Sequence, residues 1–114
     1  MTQADIRDMF RAVDGSDWQA MARHLHPDLV YDRPGFDLLV GREAVLHFYR
    51  EVRSIRGEHR FDAIVVDDVH GACWGRFVGS RQDGTPIDLQ FADCYTFSDG
   101  LLFRRKSFFY VPLA

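Results

Sequence analysis

Cysteine is nearly absent: the chain has 114 residues and only two thiols, Cys73 and Cys94. Their separation, with no His or Cys at ligand spacing beside either, excludes a zinc site and a disulfide framework. Both are expected to be reduced and buried. Basic charge is not in excess either, since 14 Lys and Arg face 17 Asp and Glu for a formal charge of −3. The electrostatic footprint of a nucleic-acid binder is missing, and no nucleic-acid partner is expected. Long hydrophobic runs are missing too. Stretches such as Ala63 to Val66 fall far short of the ~20 residues that span a bilayer, so no membrane partner is expected. Met1 to Phe10 carries Asp5, Arg7 and Asp8 where a secretory signal needs an apolar centre, which makes the cytoplasm the expected location. No repeat, linker or low-complexity segment interrupts the chain.

What is abundant is aromatic surface, with ten Phe, four Tyr and two Trp. At this length one core is expected, in a single domain over 1–114 that buries about two thirds of the extended chain's surface. The first half reads as helices. Ile6, Met9, Phe10 and Val13 form an amphipathic stripe that predicts a helix over 3–13, ended by Asp14-Gly15. Ser16 or Asp17 caps a short second helix carrying Trp18, Met21, Ala22 and Leu25, and Pro27 stops it. Leu29-Val30-Tyr31 is a brief strand before the turn at Arg33-Pro34-Gly35. A third helix begins after Gly41, with Val45, Phe48, Tyr49 and Val52 on its buried side.

From His59 onward the pattern changes to strands: Phe61 to Val69, Ala72 to Val78, Ile87 to Phe97 and Leu101 to Val111. Asp83-Gly84 and Asp99-Gly100 are hairpin turns, and His70-Gly71 serves the first connection. Helices followed by a meander predict an α+β fold and exclude a doubly wound parallel sheet. In the third strand Ile87, Leu89, Phe91, Asp93, Tyr95 and Phe97 share one face, where Asp93 is the sole charge.

Asp17-Trp18 with His26-Pro27-Asp28-Leu29-Val30-Tyr31, the segment Gly41-Arg42-Glu43-Ala44 to Phe48-Tyr49, and Asp93 to Phe97 before Asp99-Gly100 resemble the nuclear-transport-factor-2-like superfamily, in its SnoaL-like and ketosteroid isomerase-like branch. The resemblance covers nearly the whole chain. It implies a cone-shaped, cystatin-like fold, a curved antiparallel sheet packed on three N-terminal helices. It also implies a homodimer through the sheet, where the alternate positions Gln90, Ala92, Cys94 and Thr96 suit a close interface. On the ketosteroid isomerase pattern Asp93 falls on the acid that donates to a substrate carbonyl, and Tyr49 on a supporting tyrosine. The tyrosine expected on the first helix is replaced by Met9, and the aspartate base by Arg33. On the SnoaL-like pattern the catalytic aspartate falls on Ser107.

The residues themselves make Asp93 the first site candidate. A carboxylate among aromatic groups is costly to desolvate, so its pKa is expected to rise until it is a neutral donor for a carbonyl or enolate oxygen. The alternative is a structural network with an arginine or tyrosine. Tyr49 is expected to assist. Arg33 is a candidate for a substrate carboxylate or oxyanion, and Asp32 or Asp37 a candidate base. Tyr31, Trp74, Phe91 and Tyr95 are expected to hold the ligand. The five histidines are scattered: His24 and His26 point apart, and His47, His59 and His70 have no nucleophilic partner. Arg104-Arg105-Lys106 is expected at a solvated or subunit-facing edge. The sequence thus predicts a cofactor-independent isomerase, cyclase or dehydratase for a hydrophobic carbonyl compound, polyketide-like or steroid-like. A ligand-binding or interaction module without chemistry is the alternative.

Overall fold

The computed structural model describes residues 1–111, and residues 112–114 lie outside that range. Helices α1 (Gln3–Asp14) and α2 (Trp18–Ala22) lead into β1 (Leu25–Asp32) and β2 (Leu39–Val40). Helix α3 (Arg42–His47) widens into a π turn over Phe48–Val52, and β3 (Ile55–Val66), β4 (His70–Arg81), β5 (Pro86–Ser98) and β6 (Leu101–Phe109) follow. Thr2 and Asp5 form a reciprocal capping box that starts α1, which satisfies donors the first turn would otherwise leave open. Asp17 caps α2 by accepting from the Ala20 amide at 3.1 Å.

The six strands make one curved, unclosed sheet in the order β2-β1-β6-β5-β4-β3. The meander accounts for β3 to β6, all antiparallel, and β1 is added parallel to β6. Leu25 belongs to this strand and not to the second helix. The His24 carbonyl accepts from the Leu102 amide at 2.9 Å, so a ladder bond replaces the helical one. Strand β3 also begins earlier than the apolar pattern suggested, at Ile55, and its first connection is the turn at Asp67–Val69 rather than His70-Gly71. Asp99 and Gly100 both have positive φ, 55° and 73°, the two-residue turn whose twist matches the flanking strands.

The helices cover the concave face. Ile6, Met9 and Phe10 of α1, Met21 of α2, and Val45 of α3 are fully buried, as are Leu25, Leu29, Cys73 and Leu102 of the sheet. Among the described residues no helix is long and apolar enough to cross a membrane. The π turn has a local consequence: the Arg53 amide donates to the Phe48 carbonyl, five residues back, at 2.8 Å. The wide turn buries both Phe48 and Tyr49 and delivers Arg53 to the open end of the cone.

Candidate functional site

Over the concave face of β3 to β6 lies a cavity of about 30 Å³, enough for one or two waters. Its polar wall is Arg33, Arg53, His59, Asp93, Arg105 and Ser107, and its apolar wall includes Phe77, Leu89, Phe91 and Phe109. Three guanidinium groups thus face one carboxylate.

Asp93 is 1% exposed and fully engaged. Arg105 Nε and the Tyr95 hydroxyl donate to its Oδ2, each at 2.9 Å, and Ser107 Oγ donates to its Oδ1 at 2.6 Å. The ladder explains the convergence, because Asp93 stands opposite Ser107 and Tyr95 opposite Arg105 across β5 and β6. Ser107 spends its proton on Asp93, so the Tyr31 hydroxyl donates to Ser107 Oγ at 2.7 Å. Cys73 in turn donates to the Tyr95 oxygen at 3.1 Å. The expectation of a lone acid facing an aromatic layer is therefore corrected: Asp93 is one half of a buried ion pair. The basic run supplies the other half. Arg105 is 6% exposed, not at a solvated edge, because alternation turns it inward while Arg104 and Lys106 face out.

Burial alone would pull the Arg105 pKa down, but Asp93, Tyr31, Tyr49 and Tyr95 outweigh it and hold the guanidinium well above its ordinary value. Arg105 Nη1 also donates to the Tyr49 hydroxyl at 2.7 Å. Burial pushes Tyr49 up, yet Arg105, Arg53 and Arg33 overcome this and leave its phenol below the usual tyrosine value. Burial raises the Tyr31 and Tyr95 phenols instead. It also pushes the Cys73 thiol up to about 12, with Asp93 adding to the effect.

Arg33 and Arg53 complete the cationic wall. Each has a buried Nε with no hydrogen-bond partner. Arg33 lies over the rings of Phe48 and Phe109 at 5.4 and 5.1 Å, and Arg53 over Tyr49 and Phe77 at 5.1 and 5.3 Å. These aromatic faces hold the cations without neutralising them. Burial lowers the Arg53 pKa, and the neighbouring Arg33 and Arg105 lower it further against an opposing effect of Tyr49.

The remaining polar group on the cavity is His59, which in the sequence is only one of five scattered histidines. His59 Nδ1 lies 2.6 Å from Asp14 Oδ1, and the His59 amide donates to Asp14 Oδ2 at 2.8 Å. A carboxylate accepts, so this bond fixes the ring proton on Nδ1 and leaves Nε2 as the basic atom. Burial is the largest influence on His59 and lowers its pKa below the ordinary value of 6.5, although Asp14 opposes the shift. Asp14 ends α1, where the helix dipole disfavours a carboxylate. That placement is the signal the sequence offers, although Asp14-Gly15 taken locally reads only as a helix terminator.

The other expected site residues divide by face. Asp93, Arg33 and Phe91 line the cavity. Tyr31, Tyr49 and Tyr95 stand behind it, in the hydrogen-bond network. Trp74 and Asp32 are on the outer face. Trp74 is 44% exposed, and Asp32 lies 3.9 Å from Lys106. Both neighbour inward-facing residues in their strands, so alternation turns them away, which corrects the expectation that they share the cavity. Asp37 is an exposed residue of the segment between β1 and β2. Cys73 is buried as expected, whereas Cys94 is exposed. Among the described residues no group of three or more His, Cys, Asp or Glu is placed to hold a metal ion.

Solved structures with the same architecture include an NTF2-like protein of unknown function from Burkholderia pseudomallei. It has a TM-score of 0.86 at 18% identity, covering 96% of this chain and 92% of that one. A candidate ketosteroid isomerase from Kribbella flavida gives 0.80 at 21% identity, covering 98% and 79%. An LEH-like epoxide hydrolase from M. tuberculosis gives 0.81 at 16% identity, covering 94% and 80%. At such identities the likeness is one of fold. No curated protein matches the chain. The model of the SnoaL-like domain matches residues 6–105, and the chain belongs to that family, on the NTF2-like, ketosteroid isomerase-like fold.

Proposed function

We propose that this protein is a cofactor-independent enzyme of isomerase, cyclase or dehydratase type, acting on a hydrophobic carbonyl compound in the guanidinium-lined cavity. The observation that carries this reading is the Asp14–His59 pair on the same cavity as Arg33, Arg53 and Arg105. A base and stabilisers of negative charge thus meet around one small space. His59 Nε2 removes a proton α to the carbonyl, and the electron pair moves onto the carbonyl oxygen. The guanidinium groups stabilise the enolate so formed. Return of the proton to another carbon isomerises the substrate, attack on a second carbonyl cyclises it, and loss of a β-hydroxyl as water dehydrates it.

In this reading Asp93 accepts from Arg105, Tyr95 and Ser107 rather than donating to the substrate. It orients Arg105 and Ser107, and Tyr49 and Tyr95 fix the ends of that pair. The small volume of the cavity favours one second reading, a ligand-binding module without turnover, and one measurement separates the two. Exchange of α-protons into deuterated water, followed by NMR over a panel of small and polycyclic ketones, detects enolisation whatever the final product. His59→Gln is expected to lower the exchange rate roughly 10²–10⁴-fold. The acid limb of the wild-type rate is expected to have its midpoint below 6.5, since burial favours the neutral ring. Equal exchange by wild type and His59→Gln over the whole panel would leave the non-catalytic module.

A further inference from the structure

The unpaired cations define more than a general polar wall. Among the described residues only two buried side-chain nitrogens or oxygens lack a partner, and they are Nε of Arg33 and Nε of Arg53. Neither guanidinium forms an ion pair there, since the one carboxylate on the cavity, Asp93, is committed to Arg105. Both side chains are half-buried, and withdrawing their Nε groups from water without an anion is costly. Aromatic stacking lessens the cost without supplying a counter-charge. The two arrive from different elements, Arg33 after β1 and Arg53 after the π turn, yet border one cavity. Around them stand the apolar groups of Ile55, Phe77 and Phe109 and the already engaged Asp93, Arg105 and Ser107, and Arg33 Nη1 donates to the Tyr31 hydroxyl at 3.3 Å.

We propose that Arg33 and Arg53 together receive the carboxylate of a small organic acid, whose apolar or aromatic body lies along the apolar side of the cavity toward Phe109. A planar carboxylate suits the planar donor edge of a guanidinium. The enclosed volume of about 30 Å³ admits the head of such a ligand and leaves its body along that side. This inference deepens the proposed function by naming its substrates as carbonyl compounds that also carry a carboxylate, with Arg33 and Arg53 holding the carboxylate and Arg105 left to face the enolate oxygen. It rests on that reading only for the step after binding.

Binding is therefore measured on its own, by calorimetry on the full chain with benzoate, the neutral isostere benzamide and inorganic phosphate as probes. Benzoate is expected to bind at least tenfold more tightly than benzamide or phosphate. At saturation it should raise Tm by about 3 °C or more. Arg53→Gln is expected to weaken benzoate at least tenfold and, with no ligand present, to leave Tm equal or higher, because it removes a half-buried cation whose Nε has no partner. A merely structural arginine would lower Tm instead, and that result overturns the inference. Arg53→Lys, which keeps the charge and loses the planar donor edge, gives the same test if the Gln variant does not fold. It is expected to bind benzoate at least threefold more weakly than wild type. Equal affinity for benzoate and benzamide overturns the carboxylate site, and equal affinity for phosphate replaces it with an unspecific anion site. His59→Gln separates the two proposals: benzoate bound normally without ketone exchange in any variant sinks the enzyme reading alone, and exchange without benzoate binding sinks the carboxylate site alone.

Discussion

Among the described residues Asp93 and Arg105 form the most buried ion pair, and its value is asymmetric. Forming a buried pair gains little over an apolar pair, but removing one partner strands the other. Asp93→Asn leaves a guanidinium that is 6% exposed without its carboxylate. It is expected to cost about 3–5 kcal/mol, a large fraction of the stability of a small domain. In the double variant with Arg105→Gln, part of that loss should return. Thermal and urea unfolding of the four proteins in the cycle measures the coupling, and losses that simply add in the double variant would show the pair to be uncoupled. The sequence made Asp93 conspicuous because it interrupts an apolar alternation. Its partner was not legible, since alternation separates Arg105 from Arg104 and Lys106 without saying which side is inward. Asp14 and His59 are 45 residues apart in the chain, and no local pattern links a helix end to a strand interior.

The elements that were legible are those with a strong internal period. The stripe of α1 and the alternation of β5 each repeat often enough to declare themselves. The two-residue β2, the π turn and the first half of β1 do not, because their backbone bonds are supplied by other segments. His26-Pro27-Asp28 reads as a break, yet β1 continues through it with an irregular register against β6. The glycines of β4 mark another constraint that composition hides. A Cβ at Gly79 would collide with the Arg56 carbonyl, and one at Gly75 with the Arg60 carbonyl. The β3–β4 ribbon, which positions His59 opposite Phe77, therefore needs bare backbone at these crossings. Gly79→Ala is expected to destabilise the fold by on the order of 3 kcal/mol, the upper range for overpacking. An unfolding midpoint unchanged by the substitution would mean that the two strands separate freely there.

At the scale of the whole molecule the concave face is closed by helices, while the outer face carries exposed Val65, Trp74, Phe108 and Tyr110. Trp74 and Phe108 line one groove with Ala92 and Gln90, and Cys94 lines a second with Thr96. Apolar groups at this density on one side of a small domain suit an interface better than solvent. The resemblance implies that two copies associate through this side of the sheet, an expectation open to direct test. The thiols report on it directly. Cys73 is buried and its pKa is pushed up to about 12, so it should stay silent toward a thiol reagent until the protein unfolds. Cys94 is exposed in the single chain and should react within minutes in dilute protein but slowly at micromolar concentration, where light scattering should give twice the 13.2 kDa chain mass. Trp74→Glu places a charge in the middle of the face. It should restore fast Cys94 reaction at every concentration and give the mass of one chain, while leaving His59 and the cavity on the other side of the sheet unchanged. A single-chain mass for the wild type, with Cys94 equally reactive at all concentrations, would mean that the aromatic outer face has some other partner than a second copy.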